Sequence, residues 1–383
     1  MADAIRKTGV SGTRGLATEG VKYAGSKRSL LPHILELAGR TGASTVLDGF
    51  SGTTRVSQAF ALSGYRVIAN DIAAWSEVFA TCYLQGWQGG VDYESLVDHL
   101  NNLVPQDGWF TDCYGGSAGE GKSSAWDGLK KPWQIHNTRK LDAIREEIEQ
   151  LSLPPVERAV ALASLMLALD RVDNTVGHQV SYLREWAPRS YRVLEMKVPR
   201  LVDGGLDHQV CRGDVLECCH REVDLAYYDP PYGSNNEKMP PSRVRYAAYY
   251  HLWTTVCLND QPEVFGKSLR RCDSSDRCSP SVYEDFRRNP ETGRFLAVEQ
   301  IERLLSETRA RWIILSYSSG GRGTEENLRS VISKHGKLVD AVEVDYRRHV
   351  MSSMSWTGDW TGTRARPHRE FLFLIENKRT SRE

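Results

Sequence analysis

The sequence of 383 residues contains no apolar run long enough to cross a membrane. Its longest mainly apolar run, residues 159–169, is about half of the roughly 20 residues that a membrane-spanning helix needs. The first residues, Met-Ala-Asp-Ala-Ile-Arg-Lys, also lack the apolar stretch that is typical of a secretion signal. We therefore expect a cytoplasmic protein with no membrane partner.

The sequence also lacks a net charge and a paired-cysteine pattern. Lys and Arg together number 49, as do Asp and Glu. A neutral total counts mildly against a nucleic-acid binder, but it leaves room for a local basic groove. Among the eight cysteines, Cys211, Cys218 and Cys219 lie near His220 without forming the two CxxC pairs typical of zinc sites. We expect free thiols and no bound metal.

Apolar patterns predict an α/β fold. Residues 45–49 predict a buried strand, 53–63 a helix, and 66–70 a second strand that ends at Asp71. Further strands are predicted at 208–212, 223–228, 311–316, 337–346 and 369–376, and further helices at 138–151, 156–170, 297–309 and 324–335. Strands that alternate with helices in this way favour a doubly wound, Rossmann-like sheet.

The order of these patterns predicts a discontinuous catalytic domain. Residues 1–75 and 206–383 form the α/β domain in this interpretation, and residues 76–205 form an inserted, mainly helical or irregular domain. Residues 233–295 have weak periodicity and predict a second, irregular insertion.

The segment Asp229-Pro230-Pro231-Tyr232 carries the sharpest chemical signal. It directly follows an apolar strand, at the end where α/β sheets bind their ligands. Two consecutive prolines fix the backbone and remove two N–H donors, so the carbonyl between them is free to accept. One carboxylate and one fixed carbonyl suit the two hydrogens of an exocyclic amine, and an aromatic ring suits stacking on a nucleobase.

Two further motifs predict a site for a nucleoside-containing cofactor. Residues 48–53, Asp-Gly-Phe-Ser-Gly-Thr, lie between a strand and a helix, where glycines allow close approach and the helix N-terminus favours negative charge. Asp71 ends the next strand, where an acid typically accepts from ribose hydroxyls. Residues 22–27, Lys-Tyr-Ala-Gly-Ser-Lys, precede a helix and by themselves are more typical of a basic surface turn.

Taken in order, these motifs resemble those of the DPPY-type, Dam-like adenine-N6 DNA methyltransferases of alpha order. The resemblance rests on residues 22–27, 48–52, 70–71, 213–215 and 229–232. It implies transfer of a methyl group from S-adenosylmethionine to the N6 amine of a flipped adenine in double-stranded DNA. It also implies that residues 76–205 are the target-recognition domain, in an enzyme of bacterial or phage type with a cognate restriction endonuclease as a candidate partner.

The resemblance assigns roles to individual residues. Asp229 and the carbonyl of Pro230 accept from the target amine, and Tyr232 stacks on the flipped base. Asp71 holds the ribose hydroxyls of the cofactor, and Asp214 binds its adenine amine. The set expected to bind the cofactor is Tyr23, Ala24, Gly25, Ser26, Lys27, Asp48, Phe50, Ser51, Gly52, Thr53, Asp71, Ile72, Asp214, Val215 and Asp229.

Contacts with DNA are predicted from basic and aromatic residues together. Segment 181–200 interleaves five basic side chains with Tyr182, Trp186 and Tyr191, which suits phosphate contact and base stacking, and equally suits a solvated loop on the main domain. Two arginines follow the catalytic segment. The predicted contacts are Arg184, Arg189, Arg192, Lys197, Arg243 and Arg245.

The sequence leaves alternative functions open. A cytosine-N4 DNA methyltransferase or an adenine-N6 RNA methyltransferase would use the same chemistry on another amine. A catalytically inert nucleic-acid-binding protein with a methyltransferase fold is the alternative from another class.

We predict no phosphate-binding loop, although one segment matches the sequence pattern of such loops. Residues 116–123 fit GxxxxGK[ST], but this pattern needs a strand before it and a helix after it. Gly128 and Pro132 disfavour that helix.

Overall fold

The computed structural model describes residues 6–8, 17–87, 91–119, 121–203, 205–233, 246–275, 278, 281–346 and 368–378. The predicted DNA contacts Arg243 and Arg245 lie outside these residues. In the described part, no helix combines the length and the apolar character that a membrane span requires.

An eight-stranded, mainly parallel sheet lies at the centre of the described structure. Its strands are β1 (Arg6–Thr8), β2 (Thr45–Asp48), β3 (Arg66–Asp71), β4 (Gln209–Arg212), β5 (Leu225–Tyr228), β6 (Trp312–Ser318), β7 (Gly336–Tyr346) and β8 (His368–Asn377). Their order is β1-β7-β8-β6-β5-β2-β3-β4, and only β8 runs antiparallel to its neighbours. The predicted doubly wound, Rossmann-like α/β fold is confirmed.

The strand order creates a crevice between β2 and β5. From β2 the chain continues outward to β3 on one side, and from β5 it continues to β6 on the other. Neighbouring strands whose connections diverge in this way leave an opening at their carboxyl ends, where doubly wound folds bind ligands. Asp48 ends β2 and Asp229 follows β5, so both lie at this opening.

Helices cover both faces of the sheet and extend beyond it. They are α1 (Leu31–Gly39), α2 (Arg55–Leu62), α3 (Ala74–Gln85), α4 (Tyr93–Asn101), α5 (Trp109–Tyr114), α6 (Ile135–Gln150), α7 (Pro155–Val172), α8 (Val215–Cys218), α9 (Tyr246–Tyr249), α10 (His251–Leu258), α11 (Leu296–Glu307) and α12 (Glu325–His335). The predicted helices at 138–151, 156–170, 297–309 and 324–335 correspond to α6, α7, α11 and α12.

Alternate side chains of the central strands point to opposite faces of the sheet, and helices bury both faces. Val46 and Leu225 pack with the buried residues of α1 and α2. Leu47 and Ala226 pack on the opposite face with those of α11 and α12. This explains why the strands show continuous apolar runs in the sequence.

Helix α7 is the centre of a separate apolar cluster. Pro155 occupies its first turn, where a missing N–H is tolerated, and residues 159–169 are all buried. The cluster joins α7 to α3, α4, α5, α6 and α10. The longest apolar run is therefore the core of a helical layer. The domain boundaries at 75/76 and 205/206 remain predictions, and α3 packs on α7 and on the sheet alike.

The expectation of irregular structure over residues 233–295 is wrong for α9 and α10. Six of the eight residues of α10, His-Leu-Trp-Thr-Thr-Val-Cys-Leu, are buried. A helix enclosed on most sides carries no polar stripe, so it lacks the period of 3.6 that marks an amphipathic helix.

The turn after β2 requires glycine at position 49. A Cβ atom there would lie 2.7 Å from the ring of Tyr228 and 2.9 Å from the side chain of Val215. Both neighbours are buried in the core beneath the turn.

Replacing Gly49 by alanine is expected to destabilise the fold by about 1–3 kcal/mol, because a buried ring must move. Urea-induced unfolding measures the change. Gly39→Ala is the matched control, since a Cβ there meets nothing within 4 Å. Equal stability of the two variants would contradict this account of the turn.

Candidate active site

A cavity of about 620 Å³ lies at the carboxyl ends of β2, β3 and β5. All four residues of the Asp229-Pro230-Pro231-Tyr232 segment line it. So do all the residues predicted to bind the cofactor except Ala24 and Asp48. The fold thus brings together motifs that are about 200 residues apart in the sequence.

Ala24 and Asp48 lie behind the cavity wall. The backbone N–H of Ala24 donates to the Tyr250 hydroxyl at 2.6 Å, which fixes the 22–27 turn. Asp48 is fully buried and accepts from the Ser57 hydroxyl at 2.6 Å, while its other oxygen has no hydrogen-bond partner in the described structure. Burial raises the pKa of Asp48 to about 7, although the bond from Ser57 opposes the shift.

Asp71 is held in place by two backbone donors. The N–H of Gly52 donates to one carboxylate oxygen at 2.8 Å and that of Ala73 to the other at 2.9 Å. Burial raises the pKa of Asp71, and these hydrogen bonds oppose the shift. Each oxygen accepts one bond and has a lone pair left, so the carboxylate suits a pair of neighbouring hydroxyl groups.

An apolar part of the cavity lies beside Asp71. Ile72 is 74% exposed, an unusual condition for an isoleucine, and Phe50 packs edge-on against Tyr283 at 5.2 Å between ring centroids. Val215 lines the same region, and Asp214 caps α8 by accepting from the N–H of Leu216 at 2.9 Å. This combination of apolar surface and a carboxylate suits a nucleoside.

Four side chains form a buried polar cluster at the other end of the cavity. The ammonium of Lys27 lies 3.1 Å from a carboxylate oxygen of Asp229 and 3.6 Å from one of Glu370. It also donates to the hydroxyl of Tyr232, which in turn donates to Glu370 at 3.3 Å. We call Lys27, Asp229, Tyr232 and Glu370 the lysine cluster.

The electrostatics of this cluster follow from burial and from its two carboxylates. Burial raises the pKa of Asp229 to about 7, Lys27 opposes the rise and Glu370 adds to it. Burial lowers the pKa of Lys27, but Asp229 and Glu370 together raise it well above its usual value. The lysine therefore stays protonated, while Asp229 gains and loses a proton near neutral pH.

Aromatic rings form a wall next to the cluster. Tyr23 stacks on Tyr250 with centroids 4.7 Å apart and lies 5.5 Å from Tyr246. Tyr232 packs against Tyr317 at 5.2 Å. A cavity with a carboxylate and flat aromatic surfaces suits a planar base that carries an amine.

Sequence reasoning missed Glu370, which lies 138 residues beyond Tyr232. A signal existed, because Glu370 is a charged residue directly before the apolar run 371–375 of β8. Burial of such a residue is unusual unless it has a partner.

The predicted DNA contacts of segment 181–200 occupy different environments. Arg184, Arg192 and Lys197 are exposed. Arg189 instead forms an ion pair with buried Asp173 at 2.7 Å and donates to the Thr175 carbonyl at 2.6 Å.

The aromatic residues of that segment are mostly buried. Tyr182 donates from its hydroxyl to the Ser268 carbonyl at 2.9 Å, and Trp186 is also buried. Tyr191 is exposed. Among the three predicted aromatics, stacking on a base from the surface therefore falls to Tyr191 alone.

Segment 116–123 lacks the context of a phosphate-binding loop. No helix occurs among the described residues between 121 and 134. The hydroxyl of Ser123 is buried and donates to the Leu183 carbonyl at 2.5 Å. The predicted absence of a following helix is confirmed.

The loose cysteine cluster of the sequence does not assemble as four ligands. Cys218 donates from its thiol to Asn70 at 3.2 Å. Within the described residues, Cys219, His220 and Glu307 bring their ligand atoms within 4.8 Å. Burial raises the pKa of Cys219 to about 11, so its thiol is protonated at neutral pH in the described structure.

The described fold and cavity are those of an α/β enzyme of the Rossmann-like class. The chain belongs to the D12 class N6 adenine-specific DNA methyltransferase family, whose sequence model matches residues 23–292. The resemblance stated from the sequence is confirmed.

Individual relatives agree with this family. The chain is 27% identical to modification methylase StsI of Streptococcus sanguinis, over 94% of this chain and 52% of that protein. It is also 27% identical to type II methyltransferase M.NlaIII of Neisseria lactamica, over 86% and 92%, and 24% identical to M.FokI of Planomicrobium okeanokoites, over 82% and 47%. The chain thus spans about half the length of two of these relatives.

The raised pKa of Asp48 predicts how stability depends on pH. A pKa of about 7 in the fold and an ordinary value in the unfolded chain mean that the folded state binds more protons between these values. This contribution to stability is therefore lost as the pH rises towards 7. Asp48→Asn cannot ionise, so its stability relative to wild type should improve between pH 5 and pH 8.

Urea-induced unfolding at pH 5 and at pH 8 measures this difference in stability. It is on the order of 1.4 kcal/mol for each pH unit below the pKa of the folded state. Asp224→Asn is the control. Burial raises the pKa of Asp224, but its hydrogen bonds with Ser44 and Thr45 outweigh burial and hold it below its usual value. It therefore does not titrate between pH 5 and pH 8. A pH-independent effect of Asp48→Asn would contradict the assigned pKa.

Proposed function

We propose that this chain is a site-specific DNA methyltransferase that transfers a methyl group from S-adenosylmethionine to the N6 amine of a flipped adenine in double-stranded DNA. The observation that carries the proposal is the position of Asp229. Its carboxylate lies beside a nucleoside-sized cavity, next to Tyr232 and two prolines. Membership of an adenine-specific family supports the choice of base.

The residues of the cavity fit S-adenosylmethionine. Asp71 would hold the ribose hydroxyls, and Phe50, Ile72 and Val215 would enclose the adenine ring, with Asp214 at its amine. Tyr23 and the 25–27 backbone would lie along the methionine end. When bound, the cofactor supplies an electrophilic methyl group on its sulfonium centre.

The chain's own residues would activate the target amine. Ionised Asp229 accepts a hydrogen bond from one N6 hydrogen, and the Pro230 carbonyl accepts from the other, which makes the nitrogen lone pair more available. Asp229 then takes the proton that the methylated nitrogen loses. A pKa of about 7 suits both steps, because about half of the carboxyl groups are ionised near neutral pH and the ionised form still accepts a proton.

The helical cluster around α7 is proposed as the target-recognition region, with Arg184, Arg192 and Lys197 as phosphate contacts. Arg189 would act by ordering the 173–189 segment through Asp173. The relatives M.NlaIII and M.FokI are named type II methyltransferases, which supports a cognate restriction endonuclease as a partner. We propose a cytoplasmic location in a bacterium or a phage-infected cell.

Asp229→Asn is expected to lower the methylation rate by about 10²–10⁴-fold, because the amide has the shape of the carboxylate without its charge or basicity. Purified protein, labelled S-adenosylmethionine and unmethylated DNA are combined, and the DNA is digested to nucleosides. Wild type should label N6-methyladenine. Asp207→Asn is the control, an exposed acid outside the cavity.

Other outcomes of this assay identify the alternatives. Label in N4-methylcytosine would contradict the choice of base, and label in RNA alone would contradict the choice of nucleic acid. Cofactor binding without label in any nucleic acid would indicate the catalytically inert protein. Full activity of Asp229→Asn would overturn the assigned mechanism.

Asp71→Ala is expected to weaken cofactor binding at least about tenfold, since a hydrogen bond to a charged group contributes about 1.5–3 kcal/mol. Isothermal titration with S-adenosylmethionine measures the affinity, and circular dichroism checks the fold. Asp207→Ala should bind like wild type. An unchanged affinity in Asp71→Ala would exclude the proposed ribose contact.

A further inference from the structure

Glu370 lies in the active site because β8 runs against its neighbours. It pairs in register with Ser318 of β6 and with Val344 of β7. Since β6 is parallel to β5, its carboxyl end lies at the same edge of the sheet as Asp229. Only an antiparallel strand places its beginning there, so the first residues of β8 face the chemistry.

The carboxylate of Glu370 contacts two other members of the lysine cluster. One oxygen accepts from the hydroxyl of Tyr232 at 3.3 Å, and the other lies 3.6 Å from the ammonium of Lys27. Glu370 is 6% exposed and Lys27 is 5% exposed, so solvent screens these contacts little.

Neutralising Lys27 does not require Glu370. Asp229 already lies closer to the ammonium, at 3.1 Å, and provides one full countercharge whenever it is ionised. A second buried carboxylate leaves the cluster with an excess negative charge, which is unfavourable without a further purpose. A residue that served stability alone would be apolar here, as the following residues 371–375 of β8 are.

We propose that Glu370 is a positioning residue for methyl transfer, which holds the hydroxyl of Tyr232 and the ammonium of Lys27 so that the tyrosine ring and Asp229 face the target base. The inference rests on the proposed function. Glu370 acts through Tyr232 and Lys27 and does not touch the base. The hydrogen bond from the hydroxyl of Tyr232 to Glu370 fixes the tilt of the tyrosine ring. The ammonium of Lys27, which Glu370 shares with Asp229, fixes the carboxylate of Asp229.

The charge of Glu370 also affects the proton equilibrium of Asp229. Among the described residues, the charged groups that face Asp229 are Lys27, Glu370 and Asp48, and the tyrosines around it are Tyr23, Tyr227, Tyr232 and Tyr246. Of the carboxylates, Glu370 raises the pKa of Asp229. Removing its charge should therefore lower that pKa.

The test is Glu370→Gln, which keeps the shape and an oxygen that accepts from Tyr232 but loses the charge. We expect kcat to fall by up to about 100-fold, as misplaced reacting groups do, with little change in the affinity for S-adenosylmethionine. The acid limb of the kcat/KM profile should move to lower pH, which a purely structural residue would not cause.

Glu343→Gln is the matched control. Glu343 is also buried in the same sheet, but it pairs with Arg369 at 3.1 Å and makes no contact with the lysine cluster among the described contacts. It should leave kcat and the pH profile unchanged.

A double-mutant cycle keeps the inference testable if one variant is unstable. Tyr232→Phe retains the ring and removes the hydroxyl that joins Lys27 to Glu370. If Glu370 acts through that hydroxyl, the losses in kcat from Glu370→Gln and Tyr232→Phe are not additive. Additive losses, or a wild-type kcat and pH profile in Glu370→Gln, would overturn the inference. Absence of methylation by wild type would overturn the proposed function instead.

Discussion

One buried ammonium connects the parts of the active site. Lys27 lies between the carboxylates of Asp229 and Glu370, and it donates to Tyr232. A charge removed from water is costly unless partners surround it. Lys27 lies near the start of the sequence, Asp229 and Tyr232 lie in its middle and Glu370 lies near its end, so the cluster forms only when the whole sheet is assembled. Its electrostatic balance then keeps Asp229 close to half ionised at neutral pH.

The order and direction of the strands explain how such distant residues meet. The divergence of the chain after β2 and β5 opens the cavity, and the carboxyl ends of these strands place Asp229 in its wall and Asp48 behind it. The reversed direction of β8 adds Glu370 to the same edge. The helical cluster around α7 lies beyond this framework and is attached to it through α3.

Local features of the site could be predicted from the sequence because each is encoded within a few residues. The strand, glycine turn, helix and acid of residues 45–71 form one continuous pattern, and the Asp229-Pro230-Pro231-Tyr232 segment carries its own chemistry. Features that depend on distant packing were not predictable. Glu370 reaches the site only because β8 is antiparallel, which the sequence does not show. Helix α10 is buried on most sides and therefore has no polar stripe in its sequence. Buried Tyr182 could not be distinguished from an exposed aromatic residue.

The central claim is that Asp229 titrates near neutral pH because its burial, together with the neighbouring carboxylate of Glu370, outweighs the opposing charge of Lys27. Selective ¹³Cγ labelling of aspartate allows its carboxyl resonance to be followed by NMR across pH, and Asp229→Asn identifies the signal by its loss. The account predicts a pKa of about 7 in wild type, and a higher one in Lys27→Met, because the opposing positive charge is removed. Titration of Asp229 at the ordinary value of about 3.9 in both proteins would contradict it.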